Sequence, residues 1–279
     1  MKRRKFIKIL GGLPSLLYFG SCATTKTAAY KRGKLLYSFL FSNDIHVTTQ
    51  EQAGYFGESI NNWDMFADLY DFVVVCGDLA NNGTEEELLR VKDQLNHLKN
   101  PYYTVVGNHD VTKPGDDGKA GYEKVFGRDK ENYFVIHKDT ALLFLDLTDG
   151  MSADVEVKKD TLNWVSATLE EIPKRMPVIV FSHFPLHPGI PMFKVKGTSN
   201  LFEMLDKRNV IAYFSGHYHA RWQGVRNGVS FIGNTCLSLE RDNHDKSPRE
   251  GYLLVKVYDS GVEIGFYEKG KQPGKDEVF

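Results

Sequence analysis

Cysteine is scarce in this sequence. There are three in 279 residues, at positions 22, 76 and 236, and none has the paired spacing of a thiolate metal site. Cys76 in "FVVVCGD" and Cys236 in "GNTCLSL" sit in apolar, strand-like runs. Both are expected to be buried thiols, and a disulfide between them cannot be deduced from sequence. Blocks of like charge are missing too. The 35 basic and 36 acidic residues are scattered, with no low-complexity tract and no internal repeat, so nothing here resembles a nucleic-acid-binding surface. The apolar run Ile9–Phe19 is too short for a membrane-spanning helix. The length sits near the upper end for a single core, so one large domain or two small ones would fit.

That short run has a purpose of its own. The N-terminus "MKRRKFIKILGGLPSLLYFGSC" puts five positive charges and no acid ahead of it, which reads as an export signal. Its "RRKFIK" resembles a twin-arginine signal, with a general secretory signal as the alternative. "YFGSC" resembles a bacterial lipoprotein cleavage box in which Phe19 stands for the usual Leu. The expectation is removal of residues 1–21 and a membrane anchor through a lipid on Cys22. Residues 22–33 then form a tether, and the protein is a cell-envelope lipoprotein on the periplasmic or surface side of a bacterial membrane. Cleavage removes five basic residues and no acid, so the mature domain becomes mildly acidic.

From Lys34 onward, short apolar runs alternate with helical patterns, the signature of an α/β arrangement. "KLLYSFLFS" predicts a strand, "NNWDMFADLY" a helix and "DFVVVCG" the next strand. Thr84 followed by Glu87 predicts a capping box for a helix with an apolar face of Leu88, Leu89, Val91, Leu95 and Leu98, stopped by Pro101. "YYTVVGN" predicts a strand, "ENYFVIHK" with "TALLFLDL" a hairpin, and "DTLNWVSATLEEI" a helix. "MPVIVFSH", "NLFEMLDKR" and "NVIAYFSGH" follow as strand, helix and strand. Asn227-Gly228 predicts a tight hairpin turn, and "GYLLVKVYDSGVEIGFYEKG" a closing pair of strands. The later half is mostly strands, which favours two packed sheets flanked by helices. One domain is expected over residues 34–270, followed by a tail at 271–279.

The strand ends share one kind of chemistry. "FSNDIH" presents Asp44 and His46, "VVVCGD" Asp78, and "TVVGNHD" Asn108, His109 and Asp110. "VIVFSHFP" presents His183, and "AYFSGHYH" His217 and His219. Ligands bind beyond the carboxyl ends of strands in open α/β sheets, so these groups are expected at one rim. Several Asp and His clustered without a cation would repel or go unsatisfied, whereas carboxylate, imidazole and amide together suit Fe, Mn, Zn or Co. His97, His137 and His244 are expected to face solvent. His187 is nearer the site without a clear role.

The series "DIH", "GDLANNG", "GNHD", "SHFP" and "GHYH" resembles the calcineurin-like metallophosphoesterase superfamily, with no block missing, from about Ser38 to His219. The pattern is nearest the branch containing cyclic-nucleotide phosphodiesterases. The resemblance implies a four-layer α/β/β/α sandwich holding two divalent or trivalent metal ions. Asp44, His46, Asp78 and His219 would hold one. Asp78, Asn108, His183 and His217 would hold the other. It also implies hydrolysis of small phosphate mono- or diesters by a metal-bridging hydroxide, with His109 stabilising charge or protonating the leaving oxygen. Asp110 is expected to orient His109, with a turn residue closing the strand as the alternative. Leaving-group specificity is expected in the loops Thr112–Arg128 and Pro185–Ser199. The rival is a membrane-anchored binding protein that keeps the metals without turnover, which the intact His109 and complete ligand set oppose.

Overall fold

A computed structural model describes residues 33–112 and 118–274. The expected signal at 1–21, Cys22, the tether up to residue 32 and the end of the tail at 275–279 lie outside the described residues.

Two sheets form the centre. The first carries β1 (Leu35–Ser42), β2 (Phe72–Cys76) and β3 (Tyr102–Val105). The second carries β4 (Tyr133–His137), β5 (Thr140–Leu145), β6 (Pro177–Ser182), β7 (Asn209–Ser215), β8 (Trp222–Arg226) and β9 (Val229–Gly233). The chain then returns to the first sheet as β10 (Gly251–Tyr258) and β11 (Gly261–Glu268). The strand orders are β11-β10-β1-β2-β3 and β4-β5-β6-β7-β9-β8. β1, β2 and β3 run parallel, as do β5, β6, β7 and β9, while β10, β11, β4 and β8 add antiparallel edges.

Alternation along the strands builds three cores. In β1, Tyr37, Phe39 and Phe41 face the second sheet, while Leu40 faces outward to the helices. In β6, Ile179 and Phe181 face the first sheet, while Val178 and Val180 face away. The central strands are thus buried on both faces, which is why they read as continuous apolar runs rather than as an alternating pattern. Phenylalanines fill the layer between the sheets: Phe39 stacks on Phe72 at 5.1 Å, and Phe181 on Phe144 at 4.9 Å. Each such ring contributes on the order of 1.5–3 kcal/mol through burial alone. Helices α1 (Gln50–Asp64), α2 (Glu85–Leu95) and α3 (Ala120–Phe126) cover the first sheet, and α4 (Lys159–Glu171) and α5 (Thr198–Leu205) the second. The result is the expected α/β/β/α sandwich.

Local expectations fare unevenly. The first helix begins eleven residues before "NNWDMFADLY", at a capping box in which Thr49 accepts from the Gln52 N–H and the Gln52 amide oxygen accepts from the Thr49 N–H at 2.9 Å. Residues 65–70 of the predicted helix are a turn and a short 3-10 segment instead. At α2 only half of the predicted capping box forms. Thr84 accepts from the Glu87 N–H, but the Glu87 carboxylate turns to the Asn82 N–H and side chain at 2.9 and 2.7 Å. Leu89, placed on the apolar face of α2, is 41 % exposed. The Asn227-Gly228 turn forms, with φ of 53° and 81°, the left-handed pair a tight hairpin needs. Cys76 and Cys236 are buried free thiols, as expected.

Candidate metal centre

Both sheets deliver side chains to the same point. Beyond β1 come Asp44 and His46, beyond β2 Asp78, beyond β3 Asn108, beyond β6 His183, and beyond β7 His217 and His219. All seven are buried, none more than 7 % exposed. Asp44, His46, Asp78 and His219 bring one ligand atom each to a common point, and Asp78, His183 and His217 do so at a second. Asp78 belongs to both groups.

The backbone is bent to achieve this. Among the described residues ten non-glycine positions have positive φ, and five of them are Asp44, His46, Asp78, His217 and His219, with φ between 42° and 62°. Left-handed backbone outside glycine costs on the order of 1–3 kcal/mol and persists where the surroundings over-determine it, as at ligand clamps. Glycines make the space. A Cβ on Gly77, whose φ is 77°, would lie 2.3 Å from His183 Nδ1, and one on Gly216 would lie 2.7 Å from an Asp44 carboxylate oxygen.

Hydrogen bonds fix which nitrogen faces inward in His183, His217 and His219. His183 Nδ1 lies 3.1 Å from the Cys76 carbonyl, and His217 Nε2 lies 3.2 Å from the Ala153 carbonyl. Carbonyls only accept, so those nitrogens carry the protons and the lone pairs sit on His183 Nε2 and His217 Nδ1, which are 3.2 Å apart. His219 repeats the pattern: its Nδ1 is 3.3 Å from the Asp242 carbonyl and its Nε2 is 3.3 Å from His46 Nε2. Two neutral imidazoles cannot face each other lone pair to lone pair in a buried site without positive charge between them. Asn108 adds a further acceptor, because its amide nitrogen reaches the Met151 carbonyl at 3.4 Å while its buried Oδ1 has no protein partner.

The electrostatics agree. Burial alone would lower the His183 pKa, yet Asp78 and Asp44 push it up to about 9; against the same burial, Asp44 pushes His219 up to about 11. His46 and His217 follow burial instead, falling to about 3 and 4. For Asp78, burial is outweighed chiefly by His183, which holds its carboxyl well below the usual range. The cluster thus draws positive charge to two places, and oxygen and nitrogen donors without thiolate fit two metal ions there.

His109 stands beside the cluster rather than in it. Its N–H donates to Asp78 Oδ1 at 2.8 Å, its ring packs edge-on to His46 at 4.8 Å, and its Nδ1 lies 2.8 Å from the Asn81 carbonyl. That carbonyl accepts a hydrogen bond from Nδ1–H, which leaves Nε2 without this contact. Asp110 does not orient His109, against expectation, and instead closes the turn. The Asp110 carboxylate accepts the Ala80 and Gly107 N–H groups, both at 2.8 Å, and so ties the turn after β3 to the loop after β2.

Of the other histidines, His137 departs from expectation. His137 is half-buried, bonded to Asp71 at 2.8 Å and edge-on to Tyr37 and Phe72. His187 packs between Trp222 and Phe231, away from the cluster. His244 is exposed, but its ring lies 5.2 Å from His219 and its N–H donates to the His219 carbonyl at 3.1 Å. His97 is exposed, as expected. The contributions of Asn81, Ala153 and Asp242 are backbone carbonyls. No side-chain pattern in the sequence marks them.

Comparison with known proteins agrees with this arrangement. The family described as calcineurin-like phosphoesterase matches residues 37–221. The chain is 24 % identical over 205 residues to a 3′,5′-cyclic-nucleotide phosphodiesterase of Nostoc sp., covering 69 % of this chain and 74 % of that protein. It is 26 % identical over 195 residues to a glycerophosphodiester phosphodiesterase of Enterobacter lignolyticus, covering 63 % and 69 %. Its fold is similar to that of a dimetal phosphatase from Danio rerio, with a TM-score of 0.65 at 14 % identity over 85 % of this chain and 98 % of the other.

Proposed function

The chain belongs to the calcineurin-like phosphoesterase family, and from that premise we propose that it is an exported enzyme hydrolysing small phosphate mono- or diesters at a two-metal centre. The observation that carries the reading is the pair of buried donor groups sharing Asp78, with His109 beside them. Asp44, His46, Asp78 and His219 would hold one ion, and Asp78, Asn108, His183 and His217 the other. Such a pair of cations lowers the pKa of water and stabilises charge on phosphoryl oxygens.

The chain's own residues do the rest. The carbonyls of Cys76, Ala153 and Asp242 hold the outer nitrogens of His183, His217 and His219, which fixes the direction of the inner lone pairs. The His109 N–H holds one Asp78 oxygen in place. With its Nδ1–H donating to the Asn81 carbonyl, the His109 ring would present Nε2 to bound ester, to donate to a phosphoryl or leaving oxygen.

Relatives named as phosphodiesterases support diesters within this class. Export rests on the charged N-terminus and its apolar run, and the lipid on Cys22 on the "FGSC" box. No helix among the described residues is long and apolar enough to cross a membrane. A cell-envelope location suits scavenging of exported, environmental or lipid-linked phosphate esters.

The test is hydrolysis of 4-nitrophenyl phosphate and of bis(4-nitrophenyl) phosphate by metal-loaded protein, followed by a broad phosphoester panel. Turnover that stops with a chelator and returns with metal supports the reading, and silence across the panel refutes it. Mass analysis of the mature N-terminus tests the lipid: an acylated Cys22 supports the anchor, and an unmodified one rejects it.

A further inference from the structure

We propose that Phe193, Tyr218 and His244 form a ledge for an aromatic ring in the substrate, so that the preferred phosphoester carries a planar group such as a nucleobase or an aryl ring. The inference rests on the phosphoester reading of the metal centre and narrows it to a substrate class.

The three rings come from three separate loops, after β6, β7 and β9, and meet on the flank of the centre lined by His217 and His219. The Phe193 ring lies 4.5 Å from His217 at 64° and 5.4 Å from His244 at 55°. His244 in turn lies 5.2 Å from His219 and is nearly parallel to Tyr218, with 13° between planes 6.3 Å apart at their centroids. None of the three is buried: Phe193 and Tyr218 are half-buried and His244 is exposed. Phe193 is also held at φ 56°. A bulky residue in left-handed backbone is uncommon and unfavourable, so this loop keeps the ring against His217 at a conformational cost.

The flank beside His46 is different in kind. There His109, bonded to the Asn81 carbonyl, and Arg241, donating to the Asn81 side chain, make a polar and cationic wall. A phosphoryl group on the centre would thus meet hydrogen-bond donors on one flank and ring faces and edges on the other. Ring faces and edges favour a planar aromatic group through stacked and edge-on contact. A glycerol-like alcohol gains no such contact, and its hydroxyls would be left unpaired against Phe193.

Binding calorimetry with metal-loaded full-length protein separates the outcomes, using methylphosphonate, cyclohexylphosphonate and phenylphosphonate as probes. The last two are of similar size and differ in planarity and π character. Phenylphosphonate is expected to bind about tenfold tighter than cyclohexylphosphonate, the scale of one ring contact of this kind. Phe193→Leu and His244→Ala should each cut that preference to about twofold, while methylphosphonate affinity and metal content hold. Phe193→Leu keeps apolar bulk and so guards against collapse of the loop. Equal binding of the two large probes by the wild type, or a preference that survives both substitutions, overturns the ledge. If methylphosphonate itself fails to bind, the phosphoester reading falls and the ledge falls with it.

Discussion

His183 Nε2 and His217 Nδ1 face each other across 3.2 Å in the buried interior, each ring pinned from behind by a backbone carbonyl. The carboxylate that answers this arrangement is Asp78, 3.3 Å from His183 Nε2 and 3.6 Å from His46 Nε2. It is the residue through which the two halves of the centre are joined.

Asp78→Ala should therefore remove both metals rather than one. Elemental analysis is expected to fall from two ions per chain to below one, and phosphoester turnover by at least about 10²–10³-fold, the scale of losing a preorganised electrostatic group. Two ions retained in the variant would refute the shared-ligand assignment.

His109→Ala should behave in the opposite way. The ring touches His46 but supplies no atom to either donor group, so both metals should stay while kcat falls about 10²–10⁴-fold, the range of general acid–base assistance. Loss of metal along with rate would move His109 from the reaction to the scaffold.

Gly77→Ala probes the backbone. The new methyl would meet the His183 ring at 2.3 Å in a backbone conformation that alanine resists. Destabilisation on the order of 1–3 kcal/mol is expected in urea unfolding, with reduced metal content. An unchanged midpoint would show that His183 can move aside.

Acid sensitivity should trace partly to Asp71. Burial would raise its pKa, but hydrogen bonds from Lys138 and His137 outweigh that and hold it below the usual range. A carboxylate with a depressed pKa in the fold adds stability above its unfolded pKa and loses it as pH falls through the folded one. Asp71→Asn should cost about 0.5–1 kcal/mol at pH 7, and the difference from wild type should vanish in strong acid. Equal penalties at both pH values would mean the charge is irrelevant.

That Asp, His and Asn side chains would gather at one rim is legible in the sequence, because they stand at the ends of apolar strand runs and strand ends in open α/β sheets share one edge. The sandwich was readable as well, since apolar runs buried on both faces leave a strong pattern. Less visible was the start of α1, because the core-facing Ala53, Phe56, Ile60 and Trp63 are interspersed with Gly54, Gly57 and Ser59, which weaken the helical signal behind the Thr49–Gln52 capping box. Asp110 looked like a partner for His109 through adjacency alone. In the fold its carboxylate is consumed by two N–H groups, and a carbonyl from Asn81 does the orienting.

His244 shows the boundary most clearly. In the sequence it lies in a charged loop beyond the last motif, and it is exposed as that loop predicts, yet nothing in the pattern brings it beside the centre. Only the return of the chain from β9 to β10 sets that loop on His219, through the Asp242 carbonyl and the His244 N–H. Residue type and local periodicity are enough to show the family, the layered fold and the Asp and His groups that cluster between the sheets. Which nitrogen His183, His217 and His219 turn inward, and which rings line the flanks, depends on tertiary contacts, because backbone carbonyls and distant loops carry no residue code and meet only when the chain closes.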